Sequence, residues 1–101
     1  MSENRLVLEG QVGEIKPLRH TPAGFPVLEF VLIHESTRKL GLGERHIQFE
    51  MPVLLIGDTV HELDKLQVLT QLKVEGYVQP RSLKFRQLVL HAERIELIER
   101  K

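Results

Sequence analysis

The side chains best suited to chemistry in this sequence are cations and aromatic rings that lie close together late in the chain. Arg81, Lys84 and Arg86 form the densest basic cluster, Phe85 lies within it, and Tyr77 precedes it. Binding a single-stranded nucleic acid without sequence preference requires cations that follow the phosphates and flat side chains on which bases stack. The cluster contains both kinds of group. An alternative interpretation is that these are solvated charges on a turn.

Catalytic and metal-binding chemistry are not indicated. The five histidines are dispersed, and no two of them have the spacing of metal ligands on a helix. Cysteine is absent, which excludes disulfides and thiolate ligands. The segment Gly41-Leu42-Gly43 is too short for a glycine-rich phosphate loop, and no Ser or Thr lies in a nucleophile motif. We therefore predict a protein that is not an enzyme and requires no metal or other cofactor.

Length and composition predict a single globular domain over residues 1–101. The chain is 42% hydrophobic and 28% charged, which is ordinary for a soluble protein. No apolar run is long enough to cross a bilayer, and the first residues lack a secretory signal pattern, so we expect a cytoplasmic protein with no membrane partner. The 14 Lys and Arg balance 14 Asp and Glu, so nucleic-acid binding would depend on an uneven distribution of charge.

Alternation of apolar and polar residues predicts five strands, at residues 5–15, 27–34, 45–55, 70–79 and 85–99. In the first strand Gly10 suggests a bend or bulge, and in the third Pro52 suggests an edge or a bulge. The fifth strand is expected to bend near Ala92. By the same alternation, Phe30 and Phe49 belong to the core.

The segments between these strands complete the predicted architecture. Residues 16–26 and 79–84 contain turn residues, and the polar segment 35–44 predicts a mobile hairpin connection. Residues 58–66 predict a helix of one or two turns, with Asp58 as its N-cap. Five strands with a short helix between the third and fourth are the layout of an oligonucleotide-binding (OB) barrel, although other small all-β barrels fit the same pattern.

Further candidate cations lie outside the cluster. Arg45 opens the third strand, Lys73 points outward from the fourth, and Arg19 lies in the first long loop. Each can equally be a surface cation that keeps a strand edge soluble. An opposing set of carboxylates lies in or near the second and third strands; if its members share the binding face, they would repel phosphate and favour a basic protein partner. The set comprises Glu29, Glu35, Glu44 and Glu50.

Nearly the whole chain resembles the primosomal replication protein N (PriB) family. The matching segments occur in the family's order: residues 4–10, 17–26, 30–34, 48–53, 74–77 and 90–98. The resemblance implies an OB-fold homodimer similar to one subunit of the single-strand DNA-binding proteins. It also implies binding to single-stranded DNA and to the PriA helicase and other primosome proteins in replication restart, without catalytic activity.

The resemblance also implies roles for particular residues. It places DNA-contacting lysines of the family in the loop that holds Arg81, Lys84 and Arg86, and it matches Arg45 to a basic position. A tryptophan that the family can present on the third strand is replaced here by Gln48, which offers hydrogen bonds but no aromatic face. Tyr77 and Phe85 are then the remaining stacking candidates, and either could instead pack at a dimer contact.

Two other functions remain open at this point. One is a protein-interaction adaptor for PriA with weak or incidental DNA binding, and the other is an RNA-binding OB domain. For the dimer, Val7 on the outward face of the first strand indicates an interface that uses this strand and the region between the third and fourth strands.

Overall fold

The computed structural model describes residues 1–63 and 67–98, which form one six-stranded sheet. Its strands are β1 (Leu6–Ile15), β2 (Arg19–His20), β3 (Pro26–Leu40), β4 (Gly43–Ile56), β5 (Gln71–Pro80) and β6 (Leu88–Leu97). The strand order is β1-β5-β6-β4-β3-β2, and β1 also pairs with β3, so five strands close into a barrel. The predicted all-β, five-stranded architecture is confirmed, with the two-residue β2 as an unpredicted addition. Within residues 1–63 and 67–98, no helix is long and apolar enough to cross a membrane.

The barrel interior is filled by apolar side chains from alternate positions of every long strand. Full burial of one such side chain contributes roughly 1.5–3 kcal/mol to folding. The largest fully buried side chains are those of Phe30, Leu32, Leu55, Leu72, Leu90, Val12, Val53, Val74 and Val89. This packing confirms the predicted core position of Phe30.

The long β3–β4 hairpin differs from the sequence-based prediction. Residues 35–44 are not a loop, because β3 and β4 pair without interruption from Val27 opposite Ile56 to Leu40 opposite Gly43. The turn consists of Gly41 and Leu42, and Gly41 has a φ of 60°, which glycine adopts without steric cost. Since this ribbon extends beyond the barrel, neither face needs apolar residues, and the alternation that would reveal strands is missing.

The same extension explains why the core assignment of Phe49 was wrong. Phe49 has the inward orientation of its strand but lies on the projecting part of β4, and 38% of its surface is exposed. Its ring packs against the imidazole of His34, with 4.9 Å between the ring centroids. Alternation predicted the side of the strand correctly, but it could not show that the barrel ends before this residue.

The segment after β4 is a 3-10 helix over Gly57–Leu63, placed between the third and fourth barrel strands as predicted. Its Val60 side chain is buried in the barrel core. Residues 64–66, the end of the predicted helix, lie outside the described residues. At Pro52 the strand has an open edge, as predicted, because β4 pairs there with β3 alone. The ladder between β4 and β6 is limited to Val53 opposite Leu90 and Leu54 opposite His91, so the proline N, which has no hydrogen, lies just before this ladder.

Barrel closure depends on a close approach of β1 to β3 at Gly10. A Cβ atom on Gly10 would lie 2.5 Å from the carbonyl oxygen of Ile33 and 2.9 Å from Cγ of Leu32. The expected bulge is displaced from Gly10, because the β1–β3 register shifts between Val12 and Ile15. In β6 the expected bend is present. Glu75 pairs with Arg94 and its neighbour Gly76 pairs with Ala92, so the register skips Glu93 between them.

Gly10→Ala therefore lowers the free energy of unfolding by about 1–3 kcal/mol, because the added methyl group forces β1 away from β3. Urea unfolding followed by circular dichroism measures the change. Gly43→Ala is the matched control: its Cβ would lie 3.8 Å from the nearest atom, so a change within about 0.5 kcal/mol is expected. Equal effects of the two substitutions would contradict this explanation of closure.

Candidate nucleic-acid interface

Two loops lie on either side of the outer face of β3. Loop A, residues 16–25, joins β1 to β3 and contains β2, in which Arg19 pairs with Val27. Its predicted turn is present: the Gly24 N–H donates to the Thr21 carbonyl oxygen over 2.8 Å, and Gly24 has a φ of 91°. The pairing with β3 holds loop A against the barrel and brings Arg19 to the edge of the outer face.

Loop B, residues 81–87, joins β5 to β6 and carries the predicted basic cluster. The Arg81 N–H donates to the Gln87 carbonyl oxygen over 2.8 Å, and the Phe85 N–H donates to Oγ of Ser82 over 2.9 Å. These bonds make a compact loop, with Lys84, Phe85 and Arg86 exposed. Phe85 is 61% exposed, and Nζ of Lys84 lies 5.7 Å from the centre of its ring. The loop thus presents one flat side chain beside exposed cations.

A buried carboxylate, Glu29 of β3, joins the two loops. Its side chain is 4% exposed and accepts two hydrogen bonds from the Arg81 guanidinium, of 2.9 and 3.0 Å. Nζ of Lys16 lies 3.1 Å from the same carboxylate, and a guanidinium nitrogen of Arg19 lies 3.9 Å from it. We call these four residues the Glu29 cluster.

The ionisation of Glu29 follows from this geometry. The hydrogen bonds from Arg81, and then those from Lys16, hold the pKa of the carboxyl below its ordinary value of 4.5, although burial acts in the opposite direction. The carboxylate in turn raises the pKa of Arg81. Arg81 is consequently held in a structural ion pair, whereas the sequence predicted a cation available to DNA.

Two other candidates, Lys73 and Tyr77, lie on the outer surface of β5 and not in either loop. Lys73 stands opposite Glu9 of β1 and Glu96 of β6, so carboxylates flank it in the sheet. The Tyr77 ring is outward, as predicted, and stacks on His91 with 5.1 Å between centroids and 13° between planes. Burial lowers the pKa of His91, which favours the neutral imidazole. This pair forms a flat aromatic surface apart from the basic cluster.

The candidates on the projecting hairpin point to opposite faces. Arg45 stands directly across from Arg38, and the two like charges share one face of the ribbon. Gln48 stands across from Glu35 on the other face, which is the outer face of the barrel sheet. Along β3, Glu35 is six residues from Glu29, which is roughly 20 Å in an extended strand. Gln48 and the Glu29 cluster are therefore separate parts of the surface.

The strand register also determines where the acidic residues lie. Side chains two residues apart share a face, so the four carboxylates lie on the outer face of β3 and β4 together with Gln48. They are Glu29, Glu35, Glu44 and Glu50. Glu35 contacts the His46 imidazole over 3.2 Å. Near Gln48 this face carries more carboxylates than cations, with Lys39 opposite Glu44, whereas near loops A and B the Glu29 carboxylate is surrounded by cations.

The structure therefore brings five of the nine predicted site residues to one end of the barrel and leaves four elsewhere. Together at the loops are Arg19, Arg81, Lys84, Phe85 and Arg86, whereas Arg45, Gln48, Lys73 and Tyr77 lie apart. Sequence reasoning missed Lys16 and the role of Glu29. A signal existed for Glu29, because it is a carboxylate in a strand, residues 27–34, that has apolar residues on both faces, a pattern that indicates a strand covered on both sides. Among the described residues, no group of three or more His, Asp or Glu could hold a metal ion.

A closed five-stranded barrel flanked by these two loops defines the class of OB-fold domains. The family model described as "another single-strand binding protein family" matches residues 4–94. The replication restart protein PriB of Yersinia pseudotuberculosis is 36% identical over 102 residues, covering 98% of this chain and 97% of the relative. The solved structure of PriB from Ralstonia solanacearum has a TM-score of 0.84 and 28% identity, covering 97% of this chain and 100% of that one.

A more distant structure has the same fold. The single-stranded DNA binding protein from Thermus aquaticus has a TM-score of 0.82 and 24% identity, covering 96% of this chain and 51% of that one. The chain belongs to the single-strand binding protein family that the model describes, and within it to the replication restart protein PriB family. The resemblance seen in the sequence and the predicted OB fold are both confirmed.

The Glu29 cluster predicts a pH-dependent stability. Arg81→Ala lowers the free energy of unfolding at pH 7 by about 1–3 kcal/mol, because it leaves a buried carboxylate short of partners. Since the pKa of Glu29 is lowered in the folded state, the stabilisation is complete above pH 4.5 and is lost as the pH falls through the lowered value.

The difference between wild type and Arg81→Ala should therefore shrink as the pH is lowered from 4.5 towards 3. Urea unfolding at several pH values measures it. Arg86→Ala, an exposed cation of the same loop, is the control and should change stability by less than about 0.5 kcal/mol at each pH. A difference between wild type and Arg81→Ala that does not vary with pH would show that Glu29 is not the titrating group.

Proposed function

We propose that this chain is a non-catalytic accessory protein of bacterial replication restart that binds single-stranded DNA through loop B and the adjacent end of loop A. The observation that carries the proposal is the exposed group Lys84, Phe85 and Arg86 at the mouth of an OB barrel. Membership of the PriB family supports it, since relatives bear the name replication restart protein. Such a protein would act in the bacterial cytoplasm, on the nucleoid.

The mechanism combines charge and stacking. Lys84 and Arg86 neutralise successive phosphates while one base stacks on the Phe85 ring, and Arg19 adds a cation from loop A. Stacking of one base contributes about 1–3 kcal/mol, and the chain has no tryptophan to add a second platform near Gln48. The carboxylates around Gln48 repel phosphate. We therefore expect a modest affinity that falls with added salt.

The double substitution Lys84→Ala/Arg86→Ala should weaken binding to a labelled oligo-dT of about 35 nucleotides by roughly fivefold or more and reduce the salt dependence, because fewer counterions are released. Fluorescence anisotropy at low and moderate salt measures both. Phe85→Ala should weaken binding with the salt dependence unchanged. The double substitution Arg38→Ala/Arg45→Ala, which removes the same charge from the hairpin, is the matched control. A larger loss in the hairpin variant would place the DNA on β3 and β4.

A second candidate function is a protein-interaction adaptor in primosome assembly, with PriA helicase as the partner and DNA binding weak or incidental. The acidic face formed by Glu35, Glu44 and Glu50 supports it, because such a surface repels DNA and attracts a basic protein.

Two results together would favour the adaptor. The protein would show no oligo-dT binding at tens of micromolar, and it would bind PriA with an affinity that the double substitution Glu35→Gln/Glu50→Gln lowers. Stronger binding to oligo-U than to oligo-dT would instead favour RNA.

We also propose that the chain acts as a homodimer. A groove between β1 and the β3–β4 hairpin has Val7, Ile33, Ile47 and Phe49 interspersed among polar lining residues, and Val7 is 42% exposed. Covering this mixed groove with a second copy would remove the exposed apolar side chains from water. The proposed interface shares the first strand with the interface predicted from the sequence. Its second part is the hairpin, whereas the sequence-based prediction named the segment between the third and fourth barrel strands.

Val7→Asp should convert the dimer to a monomer, because the carboxylate would be buried without a partner in the interface. Sedimentation analysis should give about twice the 11.7 kDa chain mass for the wild type and the chain mass itself for the variant. Glu14→Ala, an exposed change on the same strand outside the groove, is the control and should remain dimeric. A dimer of unchanged stability in Val7→Asp would exclude this interface.

A further inference from the structure

The Glu29 cluster has the composition of an anion-binding site. Lys16, Arg19 and Arg81 come from three separate segments of the chain, and all three direct their cationic groups at one pair of oxygen atoms. The guanidinium of Arg81 binds both oxygens, which is the paired geometry that arginine also uses with phosphate. Three positive charges converge on a single negative one, so the cluster retains an excess of two.

The location of the cluster is relevant to DNA binding. Glu29 lies on the outer face of β3, between loop A and loop B, and the cluster begins in loop B at Arg81. Lys16 and Arg19 are about half or more exposed at their side chains, whereas the carboxylate beneath them is buried. The two cations are thus accessible to solvent on one side and face the protein's own carboxylate on the other.

We propose that Glu29 acts as an internal anion that occupies a phosphate site built by Lys16, Arg19 and Arg81, and thereby limits the affinity of this face for single-stranded DNA. The proposal rests on the DNA-binding function proposed above and identifies a residue that sets its strength. Because a carboxylate and a phosphate offer the same acceptor oxygens, a strand that follows loop B meets an arginine whose donors are already used. Removing the charge of Glu29 frees the donors of Arg81 and raises the net charge of the cluster by one at the position where the strand passes.

The experiment compares Glu29→Gln with the wild type in anisotropy titrations with oligo-dT of about 35 nucleotides. Glu29→Gln should bind at least about fivefold more tightly, with a salt dependence steeper by about 0.7 for each additional phosphate contact. Adding Arg81→Ala to Glu29→Gln should abolish most of this gain. Glu50→Gln is the matched control: it removes the same charge from the same face but frees no cation, so a gain below about twofold is expected.

A second readout tests the anion site without DNA. Inorganic phosphate binds the folded state of Glu29→Gln and should raise its melting temperature more than that of the wild type, with Glu50→Gln behaving like the wild type. If the wild type binds no oligo-dT, the DNA-binding function fails, and the phosphate measurement still decides on the anion site. Glu29→Leu serves as the second uncharged variant if Glu29→Gln does not fold. Equal or weaker DNA binding by the uncharged variant, together with no additional stabilisation by phosphate, would overturn the proposal.

Discussion

The ion pair between Glu29 and Arg81 is the interaction on which the rest of the site depends. A carboxylate that is 4% exposed remains charged in the fold only when its partners replace the water it has lost, and Arg81 does so with two hydrogen bonds. The same pair fixes loop B against β3, while Lys16 and Arg19 fix loop A there. One buried side chain thus sets both the positions of the two loops and the number of cations left for a ligand. Stability and binding are coupled at this residue.

Much of the fold could be predicted from the sequence, because the barrel strands follow the period-two rule wherever one face is buried. Phe30, Leu32 and Leu72 alternate with outward residues and lie in the core. The rule failed beyond the barrel, where both faces of the β3–β4 hairpin meet solvent and residues 35–44 carry no apolar period. Phe49 was misassigned for the same reason, since its inward orientation persists after the core has ended.

The candidate site was predictable in part. Lys84, Phe85 and Arg86 are exposed on one loop as expected, because consecutive residues of a turn stay together whatever the tertiary structure. Arg81 shows what the sequence could not reveal: its partner Glu29 is 52 residues away, and only barrel closure brings them together. Gln48 and Arg45 are close in sequence, but strand alternation sends them to opposite faces. The resemblance aligned positions with the family, but it carried no information about which charges this chain neutralises internally.

The roles of loop B and Arg81 are tested most directly by an NMR titration of the wild-type protein with oligo-dT that follows arginine side-chain Nε–H signals and backbone amides. We expect the Arg86 Nε–H and the amides of Lys84 and Phe85 to shift, while the Arg81 Nε–H stays in place because its guanidinium remains bound to Glu29. Shifts centred on the β3–β4 hairpin, with loop B unchanged, would contradict binding at loop B. A large shift of Arg81 would show that DNA displaces Glu29, which contradicts the claim that Arg81 is a structural cation.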